Sequence, residues 1–267
     1  MLIGLIRQDG ALQLKEEAIA EAQLFGQVDG YSLPIITRMF AEHTAKSPSA
    51  SQIAGQAYRR TVLEKIISFY AKPLNLMAML RGTLIHAGLQ STNLQGIRVI
   101  TEHRYTYTIP GTTIKLSGQV DVYYPEHKRL EDYKTCQNIP QIIKEEHVFQ
   151  LAIYYWLLRW NGLPVDKAVI DYISWGDTQQ LSLAEMPDGS VNDVVMHPYF
   201  KDESYFVETI TKAWHILNDG FEEYYAPGMN FCNRSYCRYC ALKWACDQID
   251  YTGEIIEPSE FVQEREK

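Results

Sequence analysis

The sequence has no apolar run approaching the ~20 residues that a membrane-spanning helix needs. Its short apolar opening, residues 1–6, is followed at once by Arg7 and Asp9, which is not the pattern of a secretory signal. The phosphate-binding loop G-x-x-x-x-G-K-[ST] is also missing, which excludes a P-loop helicase. We therefore expect a cytoplasmic protein that enters no membrane and depends on a partner for any ATP-driven step.

An excess of basic residues is also absent. The 267 residues carry a formal charge of −8, and hydrophobic residues make up 46% of the chain, which is ordinary for a globular protein. A protein that coats nucleic acid by bulk attraction usually has a basic surface, so the composition argues against that class. A metal site built from carboxylates stays open, because a bound divalent cation reverses the local charge.

The order of segments predicts an α/β protein. Three successive segments rich in β-branched and aromatic residues predict strands in meander order, and a buried strand follows, at 97–109, 114–124, 129–134 and 168–174. Apolar residues at helical spacing predict helices at 11–25, 53–70, 76–90, 139–160 and 203–225. We therefore expect a mixed central β-sheet flanked by helices. The expected parts are a helical N-terminal region (1–90), a core (91–200), a C-terminal helix with a cysteine-rich lobe (201–250) and a tail (251–267).

Two carboxylates and a lysine stand in neighbouring predicted strands. Asp121 lies in the second strand of the meander, and Asp132 and Lys134 share one face of the third because they are two residues apart. Paired carboxylates suit Mg²⁺ or Mn²⁺, and a lysine beside such a metal orients water and stabilises charge on a phosphate. The pattern predicts a solvent-facing site for phosphodiester hydrolysis, although the D-x-K triplet alone favours ordinary surface residues.

Further motifs in a fixed order favour the catalytic interpretation. The segments GTLIH, GQVD, DYK and QLAIY stand at 82–86, 118–121, 132–134 and 150–154. They resemble the G-x-x-x-H, G-x-x-D, (D/E)-x-K and Q-x-x-x-Y motifs of the RecB-like branch of the PD-(D/E)XK nucleases. That branch includes exonuclease domains of recombination complexes, CRISPR-associated adaptation nucleases and phage enzymes. The resemblance implies a restriction-endonuclease-like core.

The resemblance also implies a role for each matching residue. Lys134 would be the catalytic lysine. Gln150 and Tyr154, which share one helix face, would support this lysine and the DNA backbone, although packing of a buried helix is an equal alternative. The metal ligands would be His86, Asp121, Asp132 and the backbone carbonyl of Tyr133.

Two further acids lie near these motifs. Glu102 resembles an acid often found in the family on the strand before Asp121, but a single carboxylate in the segment TEHRY is a weak indication. Glu131 is next to Asp132, and the alternation of a strand predicts that its side chain points away from the site.

Four cysteines lie close together near the C-terminal end, Cys232, Cys237, Cys240 and Cys246. Without an export signal, such a group predicts a metal site rather than disulfides. The last three have the C-x2-C-x5-C spacing with which many RecB-like nucleases hold a [4Fe–4S] cluster, but the upstream fourth cysteine of those enzymes is missing here. Cys232 or, less favoured, Cys136 would replace it, and structural zinc is the alternative to the cluster.

Together these features predict a metal-dependent DNA nuclease, above all an exonuclease acting on single-stranded ends in recombination, phage DNA metabolism or CRISPR adaptation. A helicase, a recombinase or a CRISPR adaptation protein is the expected partner. The alternative is a catalytically silent or partner-dependent DNA-binding or scaffold subunit with the nuclease fold. The complete set of candidate ligands argues against that alternative.

Overall fold

The structure is a computed structural model of the chain. It describes residues 1–41, 48–55, 58–90, 96–141, 143–174, 178–182, 197–218 and 240–252. In chain order its elements are β1 (Leu2–Ile6), β2 (Leu12–Leu14), α1 (Lys15–Phe25), β3 (Gln27–Val28), β4 (Tyr31–Ser32), α2 (Leu33–Met39), α3 (Ala50–Ala54), α4 (Tyr58–Ile66), β5 (Phe69–Ala71), α5 (Pro73–Gln90), β6 (Ile100–Thr108), β7 (Lys115–Tyr124), β8 (Arg129–Thr135), α6 (Glu145–Trp160), β9 (Lys167–Ile173), β10 (Thr178–Ser182), α7 (Pro198–Lys201), α8 (Glu203–Asn218) and α9 (Lys243–Thr252).

These elements form two compact units, and each unit is assembled from separated parts of the chain. The first unit contains residues 1–44, 57–81 and 219–267, and the second contains residues 45–56 and 82–218. The sequence analysis instead divided the chain into four consecutive parts. That division stays a prediction. Among the described residues, no helix has both the length and the apolar character needed to cross a membrane.

The first unit contains a small sheet that the sequence did not predict. Its central strand, β1, is antiparallel to β2 and parallel to β5. Residues 12–14, expected to be helical, instead pair with β1, and α1 begins at Lys15. Leu5 of β1 is fully buried and packs with Ala18 of α1 and Ile36 of α2. The N-terminal region is therefore helical with strands added, rather than helical throughout.

The C-terminal helix belongs to the same unit. A cluster of buried side chains joins the start of α9 and the turn before it to α4 and β5, and its members are Val62, Leu63, Ile67, Phe69, Ala71, Leu242 and Ala245. Cys240, Trp244 and Cys246 are partly buried against this cluster. Apolar packing thus attaches the described part of the cysteine-rich segment to residues far earlier in the chain.

The second unit is built on a mixed sheet of five strands in the order β10-β9-β8-β7-β6. β8 and β9 are parallel, and α6 connects them, whereas the other neighbours are antiparallel. The predicted meander of three strands is β6, β7 and β8, and the predicted mixed sheet flanked by helices is confirmed. α6 is almost entirely buried from Val148 to Leu158, because it packs on β6, β7 and β9 and is covered by α3 and α7.

The contact between α6 and β7 requires a glycine at position 118. A Cβ atom at Gly118 would lie 2.9 Å from Cε1 of Tyr154 and 2.9 Å from Cδ1 of Leu157, closer than real Cβ atoms approach. Leu157 has flexible ends, but Tyr154 is buried and its hydroxyl accepts a hydrogen bond from Gln150. The ring therefore has little freedom to move aside. The glycine of the GQVD segment is explained by this close packing.

We predict that Gly118→Ala lowers the free energy of unfolding by about 1–3 kcal/mol, because the added methyl group overpacks the α6–β7 interface. Gly82→Ala is the matched control. Its Cβ would lie 3.5 Å from Oγ1 of Thr135, an ordinary contact, so alanine is expected to be neutral or stabilising by up to about 1 kcal/mol within α5. Urea denaturation followed by circular dichroism measures both. Equal stability of the two variants would contradict the explanation of Gly118.

Candidate active site

The candidate site lies where β7 and β8 separate. These strands pair only over Val122–Tyr124 and Arg129–Glu131, whereas β8 remains paired with β9 along its whole length. Beyond the paired part, the backbone N–H of Tyr133 donates a hydrogen bond to Oδ2 of Asp121 at 2.8 Å. A side-chain carboxylate thus takes the place of a strand carbonyl. The separation leaves room for polar side chains between the two strands.

Asp132 and Lys134 form a buried ion pair in this space. Asp132 is 0% exposed, and Nζ of Lys134 lies 2.5 Å from its Oδ2. Burial raises the pKa of Asp132 because the carboxylate loses its hydration, while the charge of Lys134 acts in the opposite direction. Oδ1 of Asp132 accepts no hydrogen bond from the described residues. A buried oxygen with open lone pairs is a donor that fits a divalent cation.

Three further groups converge from three elements. Nδ1 of His86 on α5 lies 3.4 Å from Oε1 of Glu102 on β6 and 3.4 Å from Oδ1 of Asp121 on β7. One ligand atom from each residue lies within 4.8 Å of the other two, which suits binding to one cation. Hydrogen bonds with Asp121 and then Glu102 raise the pKa of His86 to about 10. A proton and a cation therefore compete for the same atoms.

Asp132 interacts electrostatically with His86 and Asp121 of this cluster. Its charge contributes to the raised pKa of His86, after the larger contributions of Asp121 and Glu102. In addition, the charge of Asp121 raises the pKa of Asp132. The described residues thus place three carboxylates near one another, with Lys134 and His86 as the neighbouring basic groups. This concentration of negative charge is what a bound divalent cation would stabilise.

Glu102 is a site residue that the sequence indicated only weakly. It is the third residue of β6 and lies opposite Asp121, because the pairs on either side of it, Thr101 with Val122 and His103 with Val120, have the same register. Its φ angle of 49° is in the left-handed region, which residues other than glycine rarely adopt. Such backbone strain persists where surrounding structure maintains it, and it is frequent at functional sites.

The surrounding structure holds the Glu102 side chain through two hydrogen bonds in series. Nε2 of Gln119 donates to Oε2 of Glu102, and Nη2 of Arg104 donates to Oε1 of Gln119 at 3.0 Å. Oε2 is therefore occupied by the neighbouring strand, while Oε1 faces His86. This series of hydrogen bonds, from Arg104 to Gln119 to Glu102, forms only when β6 pairs with β7. Nothing in the local sequence reveals it.

The Q-x-x-x-Y motif reaches the carboxylates through its tyrosine. Nε2 of Gln150 donates a hydrogen bond to Oη of Tyr154 at 2.7 Å. Burial raises the pKa of Tyr154, and the negative charges of Asp132 and Asp121 raise it further, so the phenol stays neutral. Gln150 and Tyr154 therefore lie together on one face of α6, as their spacing predicted.

The sequence matches the family model described as PD-(D/E)XK nuclease superfamily over residues 35–247, which is most of the chain. The chain belongs to this superfamily. The match contains all four motifs, and the geometry above places the acidic and lysine residues of the PD-(D/E)XK signature around one site. No match to a curated protein was found.

Solved structures with similarity to this chain were also found. The protein SSO0001 is 17% identical, with 79% of this chain and 91% of that chain covered and a TM-score of 0.53. A protein described as an exonuclease from Eubacterium rectale is 12% identical, with 76% and 81% covered and a TM-score of 0.32. A phage-related exonuclease from Haemophilus somnus is 13% identical, with 81% and 85% covered and a TM-score of 0.28. The likeness to SSO0001 concerns the fold.

The site of this PD-(D/E)XK nuclease is less exposed than the sequence predicted. Asp121 is 6% exposed and Asp132 is 0% exposed, so the expectation of a solvent-facing pair of carboxylates was wrong. Alternation along a strand predicts which residues share a face, but it does not predict what covers that face. Glu131, as expected, points elsewhere, and its carboxylate forms an ion pair with Arg129.

The cysteines are described only in part. Cys232 and Cys237 lie outside the described residues. Cys240 and Cys246 lie in the first unit, whereas Cys136 follows β8 in the second unit, where its backbone N–H donates to the carbonyl of Ile173. Burial raises the pKa of the Cys136 thiol. The choice between Cys232 and Cys136 as fourth ligand stays a prediction.

We predict that Lys134→Met, measured in EDTA at neutral pH, lowers the free energy of unfolding by about 3 kcal/mol or more, because it leaves the buried Asp132 carboxylate without its cation. Adding Asp132→Asn to Lys134→Met is expected to restore much of this stability by removing the charge. Lys128→Met is the matched control, since Lys128 pairs with Asp166 on the surface and such pairs contribute at most about 1 kcal/mol. A double variant no more stable than Lys134→Met would contradict the role of the buried pair.

Proposed function

We propose that the chain is a metal-dependent deoxyribonuclease that hydrolyses phosphodiester bonds, acting as an exonuclease on single-stranded ends. The observation that carries this proposal is the convergence of His86, Glu102 and Asp121 within 4.8 Å. Beside them lies the buried pair of Asp132 and Lys134, in which one carboxylate oxygen accepts no hydrogen bond from the described residues. Carboxylates and an imidazole can hold a divalent cation that polarises a phosphodiester and activates water, and a neighbouring lysine can stabilise the charge that develops on the phosphate.

Mg²⁺ or Mn²⁺ is the proposed cofactor. The residues that would hold it are His86, Asp121, Asp132 and the backbone carbonyl of Tyr133, to which the structure adds Glu102 as a candidate. When bound, such a cation polarises the phosphate and lowers the pKa of a coordinated water molecule. Oxygen donors with a single imidazole suit these two metals better than zinc, which prefers sulfur and nitrogen.

Lys134 is proposed to act on the attacking water and on the phosphate. Its ammonium group is held at 2.5 Å from Asp132, and its side chain is 17% exposed. A positive charge in a poorly hydrated site stabilises the negative charge that develops on the phosphate during attack, without reorganising at that moment. Gln150 and Tyr154 are proposed as supporting residues, because their hydrogen bond keeps a neutral phenol close to the charged groups.

The biological setting belongs to the same proposal. The RecB-like motifs favour a nuclease of recombination, phage DNA metabolism or CRISPR adaptation. The net charge of −8 favours a partner that supplies additional DNA affinity, such as a helicase, a recombinase or a CRISPR adaptation protein. A protein that works on ends exposed by such a partner needs little affinity for DNA of its own.

We predict that the purified chain degrades end-labelled single-stranded DNA when Mn²⁺ or Mg²⁺ is added, and that Asp121→Asn lowers kcat/KM on the order of 10²–10³-fold or more. The variant removes a charge from the metal site while keeping the size of the side chain. Asp166→Asn is the matched control, because Asp166 is exposed and pairs with Lys128 on the surface.

Product analysis on 5′- and 3′-labelled strands distinguishes stepwise removal of nucleotides from internal cleavage. Equal activity of Asp121→Asn and the wild-type chain would overturn the site. Binding of DNA without cleavage, in folded protein with bound Mn²⁺, would favour the catalytically silent or partner-dependent subunit instead.

We also propose that the C-terminal cysteines hold a [4Fe–4S] cluster, with zinc as the alternative metal. Cys237, Cys240 and Cys246 supply three thiolates and Cys232 is the preferred fourth, as the usual complement of four requires. In support, Cys240 and Cys246 are both packed against the same buried cluster, which attaches their segment to α4 and β5. When bound, the metal would add a second attachment of this segment, leaving hydrolysis to the carboxylate site.

We predict that the anaerobically purified chain contains about four iron atoms and four inorganic sulfides, and that Cys246→Ser loses most of them and has a lower Tm. Cys136→Ser is the control, since Cys136 lies in the second unit and is the less favoured fourth ligand. Metal analysis by mass spectrometry and a thermal melt measure both effects. Zinc in place of iron would select the alternative, and iron loss in Cys136→Ser would exchange the assignments of Cys136 and Cys232.

A further inference from the structure

A row of polar side chains runs along one face of the β6–β7 hairpin and begins at the candidate metal site. Glu102 lies opposite Asp121 at the site itself. The pairs that follow are Arg104 with Gln119, Thr106 with Ser117 and Thr108 with Lys115. Residues opposite each other in an antiparallel pair, and residues two apart along a strand, share a face. We call the six residues beyond the metal site the hairpin row: Arg104, Thr106, Thr108, Lys115, Ser117 and Gln119.

The hairpin row is open to solvent and carries charge of one sign. Arg104, Thr106, Thr108 and Lys115 are exposed, and Ser117 is half-buried. None of the six side chains is acidic, although the whole chain has a formal charge of −8. Within the described part of the chain, Arg104 bonds only to the neutral Gln119, and Lys115 forms no ion pair. Neither cation of the row thus forms an ion pair with an acid among the described residues, and Gln119 stands between Arg104 and the carboxylate of Glu102.

The opposite face of the same hairpin is occupied by packing. Tyr105 is buried, and Tyr107 stacks on Trp160 of α6 with ring centroids 4.4 Å apart. The two tyrosines of β6 are therefore engaged in packing on the face opposite the row. What the hairpin offers to a ligand beside the metal site is hydroxyl, amide and cationic donors, which are the groups that contact phosphate and sugar rather than base edges.

The row also has the direction and length of a binding track. Lys115 is six residues from Asp121 along β7, which corresponds to ~20 Å at the rise of an extended strand. A donor pair occurs at every second residue over that distance. A polyanion whose end reaches the metal site would thus lie along several donors in succession.

We propose that the hairpin row binds the phosphate backbone of the nucleic-acid strand whose end is in the metal site. The inference deepens the proposed function and rests on it. Arg104 and Lys115 supply the charge, Thr106, Thr108 and Ser117 supply hydroxyl donors, and Gln119 connects the row to Glu102. Because the contacts are to backbone, binding is independent of base sequence, and its affinity falls as salt rises.

The first test measures binding without cleavage. Each protein carries Asp121→Asn to block hydrolysis, and the Kd for fluorescent oligo(dT) of 20 nucleotides is measured by anisotropy from 50 to 500 mM salt. Adding Lys115→Gln is expected to make the slope of log K against log[salt] less negative by about 0.7, the value for one phosphate contact of a single strand. The ratio of the Kd values with and without Lys115→Gln would then be about fivefold smaller at 500 mM salt than at 50 mM salt.

Lys201→Gln is the matched control for this test. It removes the same charge from an exposed position in the same unit, on α7, which packs against α6 and so belongs to the opposite side of the hairpin. Its salt slope is expected to equal that of the parent. A slope for Lys115→Gln that equals the parent's would overturn the proposal, as would an absence of oligonucleotide binding by the parent.

The second test uses the active chain and two substrates. Lys115→Gln is expected to raise KM for oligo(dT) of 20 nucleotides several-fold at 50 mM salt, with kcat unchanged. It is expected to leave hydrolysis of bis(p-nitrophenyl) phosphate unchanged, because this small diester occupies only the metal site. Equal losses on both substrates, or no loss on either, would overturn the hairpin row.

These results separate the row from the proposed function. A chain that cleaves oligonucleotides while Lys115→Gln changes neither the salt slope nor KM retains the nuclease function and loses the row. A chain that cleaves nothing but shows the altered slope loses the nuclease function and retains the row as a backbone-binding surface.

Discussion

The buried charge of Asp132 is the constraint on which the rest of the site depends. A carboxylate that is 0% exposed is costly in free energy unless a cation lies beside it, and Lys134 supplies that charge at 2.5 Å. The arrangement needs strand alternation to put both side chains on one face of β8, and it needs β7 to leave β8 just beyond Glu131. Asp132 and Lys134 therefore matter both for the folding of the second unit and for the proposed phosphodiester chemistry.

The motifs are also joined by packing, not only by chemistry. Gly118 admits the ring of Tyr154, and the hydrogen bond from Gln150 holds that ring in place. Asp121, three residues after Gly118, receives the backbone N–H of Tyr133. The G-x-x-D, (D/E)-x-K and Q-x-x-x-Y segments thus form one contiguous arrangement, in which a change in one alters the position of the others.

Much of the second unit was predictable because its signals are local. The meander β6–β7–β8 and helix α6 follow from strand-forming residues and helical spacing within single segments. In contrast, β1, β2 and β5 were missed, because short strands carry few residues and their pairing joins positions as distant as Leu2 and Phe69. Glu102 was undervalued for a related reason. Its φ of 49° and its hydrogen bond from Gln119 exist only once β6 lies beside β7.

The superfamily, the order of the core elements and the candidate residues His86, Asp121, Asp132 and Lys134 could be read from the amino-acid sequence, because each is expressed in the spacing of residues within a short segment. The fold was needed to bring Glu102 beside His86 and Asp121, to bury Asp132, and to align the polar side chains of β6 and β7 on one exposed face of the hairpin. The burial of a side chain, the strain of its backbone and the charges around it all depend on contacts between segments that are distant in the sequence. A local pattern of residues does not contain this information.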